Sequence, residues 1–311
     1  MLTKFWEGVG SKLSERFIAA VFSPAFAFWI GGALAWAWRN RSRGYLGNLD
    51  AWGRRLNTLP TFAQAALVIL VLLGVTASGF VAQRFSLPVL RLLEGYWWRW
   101  LRPLRDALVT RKQRRFGKWG DQWQELQAID ERDLTRRQYE ELVSLEDRLR
   151  GVPPSARVMP TRLGNILRAA EGRPEDRYGL DGVRCWPRLW LMLPDTTRAE
   201  LTTSHGSLDA GAVGWLWSVL FVVWTPLAWW AAPVGIAAAV FMYRELLASA
   251  DVFGELFVSA YDLYRLSLYE ATRWPLPSTP EKERQTGPLL DEYLWRGSDE
   301  STPKFVSRPR A

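Results

Sequence analysis

The residues best able to do chemistry are few. One histidine, His205, and one cysteine, Cys185, occur in 311 residues, so neither a disulfide within the chain nor a Cys/His metal cluster can be assembled. Ser204, His205 and Asp209 stand close together, but hydrolase triads are built by the fold and not from sequence neighbours. His205 therefore reads as a polar residue near a helix end. The chain has no phosphate-binding G-x-x-x-x-G-K-[ST] loop, and no G-x-S-x-G, H-E-x-x-H or C-x-x-C. The GVGSK near its start lacks the strand and spacing that a phosphate loop needs. No catalytic residue, metal or cofactor is assigned.

What remains is charge. Arg162, Arg168, Arg177 and Arg188 fall in one stretch, residues 159–194, dense in arginine, glycine, proline and tryptophan. Guanidinium groups suit phosphate, so these four are candidates for holding an anionic ligand. A membrane-surface enzyme using Asp181 or Glu171 beside such arginines ranks third among the functional readings. Further on, Arg244, Asp251, Glu255, Asp262 and Arg265 recur at helical spacing on one face. Inside a membrane, Arg244, Asp251 and Glu255 would line a path, because charge there is expensive and faces a partner or water. The favoured reading is that the helix leaves the bilayer near Tyr243 and the stripe is a solvated or protein-facing surface.

These residues must be positioned by helices, several of them membrane-like. The 19 tryptophans and the excess of 40 Lys+Arg over 32 Asp+Glu favour a membrane–water interface over a nucleic-acid surface. Residues 1–16 read as an interfacial amphipathic helix. Residues 17–38 carry no charge and are long enough for a hydrocarbon core of roughly 30 Å; Pro24 is expected to kink this span. It reads as an uncleaved anchor, since the run exceeds a signal-peptide core and another follows. Residues 61–82 form a second span, with Gly74 and Gly79 offering close helix approach. Residues 211–243 are uncharged throughout. Two spans, at about 211–230 and 234–253 with a turn at 231–233, are drawn here in preference to one tilted helix.

Between the pairs lies an Arg-rich helical region, residues 83–210. Leu90, Leu93, Trp97, Leu101, Leu104 and Leu108 follow three/four spacing, which predicts one amphipathic helix bent at Pro103. From 99 to 118 eight basic residues meet one acid, Asp106. Trp97, Trp98, Arg99, Arg102 and Arg105 are the candidate lipid-interface set, because such a cluster beside a span attracts anionic headgroups. The interface already accounts for tryptophans among the arginines, so nucleic acid is not the expected partner. Thr135 and Gln138 make a capping box ahead of a Tyr139, Leu142, Leu145, Leu149 stripe, suited to a protein partner or a second copy. Thereafter the reading is a short helix ending at Gly172, a turn-rich connector, an apolar piece broken at Pro187, and a helix capped by Asp195 and running to about Leu208. Residues 274–311 read as a mostly disordered tail with a docking island at Leu289, Leu290, Tyr293, Leu294 and Trp295.

The expected fold is thus all-α, with about four membrane spans in two pairs. More than half of all Lys and Arg fall in 83–210, which places that region and both termini on the cytoplasmic side. Arg39, Arg41, Arg43, Arg54 and Arg55 in the first loop oppose this orientation.

The PTRLGN, LRAAE, RYGLD and WPRLW elements of 160–190, with SKLSERF and SPAFAFWIGG near the start and AYDLYRLSLYEA and WPLP later, resemble a family of uncharacterised bacterial integral membrane proteins, chiefly of actinobacterial and cyanobacterial type. The resemblance implies a multi-pass protein of the bacterial inner membrane and carries no activity. The leading expectation is a non-enzymatic scaffold or signal-coupling component that binds anionic lipid and protein partners. A pore or transporter with a path along Arg244, Asp251 and Glu255 is the rival.

Overall fold

The computed structural model describes residues 23–40, 58, 60–130, 132–298, 300, 301 and 303–306. Among these the protein is all-helical. The helices are α1 (Pro24–Asn40), α2 (Thr61–Gln83), α3 (Ser86–Glu94), α4 (Arg102–Gln127), α5 (Arg136–Arg150), α6 (Arg162–Tyr178), α7 (Gly182–Met192), α8 (Asp195–Phe221), α9 (Ala231–Tyr264), α10 (Leu266–Ala271) and α11 (Pro280–Arg296). The interfacial helix of 1–16, the start of the first span and the arginines at 41, 43, 54 and 55 lie outside the described residues. The chain divides into two units, Met1–Leu90 with Asp209–Leu246 and Arg91–Leu208 with Leu247–Ala311. The expected C-terminal pair is therefore shared between units, and the tail belongs with the Arg-rich region.

In the first unit three elements are long and apolar enough to cross a membrane: Thr61–Gln83, Asp195–Trp224 and Ala231–Tyr264, the latter two reaching into the second unit. Their apolar side chains are largely uncovered; Leu70 is 70% exposed. A helix apolar on all sides with no protein around it is stable only in an apolar solvent. Residue 24 opens the described part of α1, with the Phe26 amide donating to the Ser23 hydroxyl at 3.2 Å; proline suits this first-turn position, and the stretch before it, on which the expected kink depends, lies outside the described residues. Trp29 of α1 donates its indole N–H to the Ser78 hydroxyl at 3.1 Å, and Phe28 stacks at 5.0 Å on Trp217. Gly79 faces Ala25, whereas Gly74 has no neighbour within 4 Å of a Cβ among the described residues, so among these residues only one of the two expected close approaches is made.

The apolar run 211–243 does hold two helices, but the break falls earlier than expected. It spans the 3-10 turn Val222–Trp224 and residues 225–230, with Pro226 inside it. Pro233 instead occupies the first turn of α9, where its missing N–H costs nothing. Asp195 does not cap a separate short helix, since α8 is continuous from Asp195 to Phe221.

The second unit is held by a core of Leu180, Cys185, Leu189, Leu201, Phe257, Tyr261, Leu268, Tyr269 and Leu290, among others. Three sequence expectations are corrected here. α6 does not stop at Gly172 but runs through Pro174 to Tyr178, ending at the left-handed Gly179. Pro187 sits inside α7 without ending it, on a helix whose Cys185 and Leu189 are fully buried; tertiary packing outweighs one lost backbone bond. Finally, 280–296 is ordered helix. Thr279 accepts from the Lys282 amide at 3.2 Å, Pro280 sits in the first turn, and Leu290 is fully buried in the core.

Candidate membrane-docking elbow and cation-lined cleft

The amphipathic helix expected across 90–108 is two helices. α3 ends at Glu94 because Gly95 takes φ +106°, a conformation that side chains with a Cβ rarely adopt. The Tyr96 amide then donates back to the Arg91 carbonyl at 2.9 Å, and the Trp97 indole to the Leu92 carbonyl at 2.9 Å. Trp98 and Trp100 project outward, 63% and 74% exposed, with exposed Arg99 and Arg102 among them. Pro103 initiates α4 and does not bend it. Of the five expected interface residues, Trp98, Arg99 and Arg102 are presented together, whereas Trp97 is folded back and Arg105 is half-buried.

The elbow is fixed from the other side by the PTRLGN segment. Thr161 accepts from the Gly164 amide at 3.0 Å as the N-cap of α6, and its hydroxyl donates to the Glu94 carbonyl at 2.7 Å. Gly164 is required there: a Cβ would overlap the Glu94 carbonyl oxygen and approach the Met159 Cβ to 2.9 Å. Buried Asn165 completes the turn, donating to the Met159 carbonyl at 2.9 Å and accepting from its amide at 2.8 Å. The Glu94 carboxyl is pushed up to about 7 by burial and then by Glu171, against the opposing pull of Arg168 and Arg91.

The four arginines proposed to share an anion do not converge. Arg168 pairs with Glu171 at 3.0 Å and donates to the Tyr96 hydroxyl. Arg177 bonds both oxygens of Asp262 at 3.1 and 3.3 Å. Arg188 donates to the Arg184 and Leu294 carbonyls, both at 2.9 Å. Arginine's fork is being used within the fold. Only Arg162 is without an ion pair or hydrogen bond among the described residues, and it lines a cleft of about 820 Å³ in the second unit.

That cleft brings together six cations, Lys112, Arg115, Arg148, Arg150, Arg162 and Arg173, against three carboxylates, Asp147, Asp251 and Glu255. Four helices contribute: Lys112, Arg115, Phe116 and Trp119 lie on α4, Asp147, Arg148 and Arg150 on α5, Arg162, Ile166, Ala170 and Arg173 on α6, and Asp251, Gly254 and Glu255 on α9. Arg173 donates to Glu255 at 2.9 Å and to the Arg150 carbonyl at 2.8 Å. Arg115 and Arg148 lie 4.9 and 5.8 Å from the Trp119 ring centre. Half-buried Lys112 has no acidic partner among the described residues; burial, then Arg115 and Arg162, hold its ammonium below the usual lysine range. Of the expected path residues, Asp251 and Glu255 line this cleft, while Arg244 belongs to the first unit and does not.

The remaining candidates have structural duties. Asp181 caps α7, accepting from the Val183 and Arg184 amides at 2.9 and 3.0 Å. His205 packs edge-on against Phe253. Buried Cys185 points its thiol at Asp291, 3.5 Å away, and burial pushes the thiol up. Among the described residues no group of three potential metal ligands occurs. Lys112, Arg115, Arg148, Arg150 and Arg173 were not singled out from sequence. Their only signal was helical spacing within three separate segments, and nothing local says that those segments meet.

Among the described residues, fold and site together describe an all-helical protein with three helices long and apolar enough to cross a membrane. Compared with protein-family models, curated proteins and solved structures, the chain matches none.

Proposed function

We propose that the protein is a four-span component of a bacterial inner membrane, of the family whose PTRLGN, RYGLD and WPRLW block it shares. α1 with the residues before it supplies the fourth span. The Arg-rich unit and both termini face the cytoplasm, and the protein acts as a non-enzymatic scaffold or signal-coupling component. Its elbow docks on anionic lipid headgroups, and a protein partner or second copy engages the remaining helical surface. The observation that carries this reading is the outward presentation of Trp98 and Trp100 among Arg99 and Arg102. Indole rings settle at headgroup depth, and each nearby arginine adds roughly 1 kcal/mol of attraction to an anionic surface. Exposed Arg111, Arg114 and Lys118 continue the basic surface along α4.

The test is amide exchange of the full-length protein in nanodiscs of phosphatidylcholine alone or with phosphatidylglycerol. Docking predicts added protection across 96–118 only in the anionic discs. Identical exchange in both would rule the docking role out.

A further inference from the structure

The cleft differs from the docking surface in being concave, small-molecule sized and built by four helices, and its role does not depend on docking. Its volume of about 820 Å³ lies within the usual range of roughly 300–1,000 Å³ for ligand sites. Its cations outnumber its carboxylates six to three, and one of the six, Arg173, is already neutralised by Glu255. Lys112, Arg115, Arg148 and Arg162 have no ion pair among the described residues, although elsewhere in the unit Arg157, Arg168, Arg177, Arg184 and Arg265 each have one. Holding like charges together around a half-buried ammonium is unfavourable unless an anion joins them.

We propose that this cleft binds a phosphomonoester, its dianionic phosphate seated among Lys112, Arg115, Arg148 and Arg162 and the hydroxyls of its organic body turned toward Asp251. The charge selects the class. A carboxylate or phosphodiester brings one negative charge and leaves the cluster positive, whereas a phosphomonoester brings two and offers three oxygens to guanidinium forks and a lysine. Asp251 shares the cleft with Arg162 and would accept hydrogen bonds from the hydroxyls of the ligand's organic body. The close approach of α9 to α6, where a Cβ on Gly254 would stand 3.0 Å from the Ala170 Cβ, fixes the two walls relative to each other.

The phosphomonoester can be a soluble metabolite or the headgroup of a lipid, and two probes separate these. Detergent-purified full-length protein is titrated calorimetrically with glycerol 3-phosphate. The same protein in phosphatidylcholine nanodiscs is melted with and without phosphatidic acid, with phosphatidylglycerol as the phosphodiester comparison. Saturable binding of glycerol 3-phosphate assigns a soluble ligand; stabilisation by phosphatidic acid over phosphatidylglycerol assigns a headgroup. In either case Lys112→Gln and Arg162→Gln should weaken binding about tenfold, about 1.4 kcal/mol, while Arg136→Gln, on the outer surface of α5 with a side chain 93% exposed, should not. The proposal fails if wild type responds to neither phosphomonoester, if phosphatidylglycerol stabilises as strongly as phosphatidic acid, or if Arg136→Gln is as impaired as the cleft variants. Circular dichroism checks that each variant keeps its helices, and the wild-type selectivity decides the matter even if a variant does not fold.

Discussion

Arg173 and Glu255, 82 residues apart in the chain, meet at 2.9 Å, and the same guanidinium donates to the Arg150 carbonyl at 2.8 Å. One side chain thereby ties α6 to α9 and to the end of α5. The partners are unequally placed: Arg173 is 18% exposed and Glu255 52%. A half-exposed ion pair contributes little, whereas a shielded donor that also satisfies a helix-end carbonyl contributes more. Arg173→Ala should therefore cost about 1–2 kcal/mol and Glu255→Gln less than about 1 kcal/mol, measured by thermal melting in detergent. Equal costs would contradict this division of roles.

Gly164 and Gly117 make a matched pair of helical glycines. A methyl at Gly164 would overlap the Glu94 carbonyl, whereas nothing lies within 4 Å of one at Gly117. Gly164→Ala should destabilise by about 2 kcal/mol or more through backbone displacement. Gly117→Ala should stabilise by roughly 0.5–1 kcal/mol through helix propensity. Melting curves of the two variants should shift in opposite directions.

Glu94 makes stability depend on pH. Its folded-state value of about 7 exceeds the ordinary 4.5, so between those pH values the folded state holds more proton than the unfolded one. Stability then falls as pH rises through that window and levels off above it. Glu94→Gln should be more stable than wild type at pH 8, on the order of 2 kcal/mol, and indistinguishable below about pH 4.5. A constant difference at all pH values would assign the effect to packing.

Cys185 is fully buried beside Asp291, and its thiol is held protonated by burial and by that carboxylate. In the native protein it should resist maleimide, and react fully once denatured. Rapid native labelling would mean that α7 and α11 do not pack as described.

Parts of this architecture were legible because they are local. The Thr135 and Gln138 capping box forms with both of its bonds, since four consecutive residues suffice to specify it. The membrane-like runs at 61–82 and 211–243 needed only length and composition. Gly95 was hidden because apolar spacing continues across it, so the period alone predicted one helix where a turn intervenes. Of α11 only the docking island at Leu289, Leu290, Tyr293, Leu294 and Trp295 was anticipated, because Pro280, Lys282, Glu283 and Pro288 suggest disorder ahead of it. What orders it is Leu290 in the core and the pairing of Glu283 with Arg265 at 2.7 Å, neither of which is visible in the segment itself. The cleft was the least legible feature. Of its residues only Arg162, as part of an anion site, and Asp251 and Glu255, as part of a membrane path, were singled out, because its walls come from four stretches of chain that only tertiary packing unites.

The proposed function places the Arg-rich helical unit on the cytoplasmic, anionic face of the membrane. Single cysteines at Asp50 and at Glu140, whose side chain is 64% exposed, can be probed with a membrane-impermeant maleimide on intact cells. Buried Cys185 contributes little background. The account predicts labelling of Asp50→Cys from outside and protection of Glu140→Cys until the cells are opened. Labelling of Glu140→Cys on intact cells would contradict it.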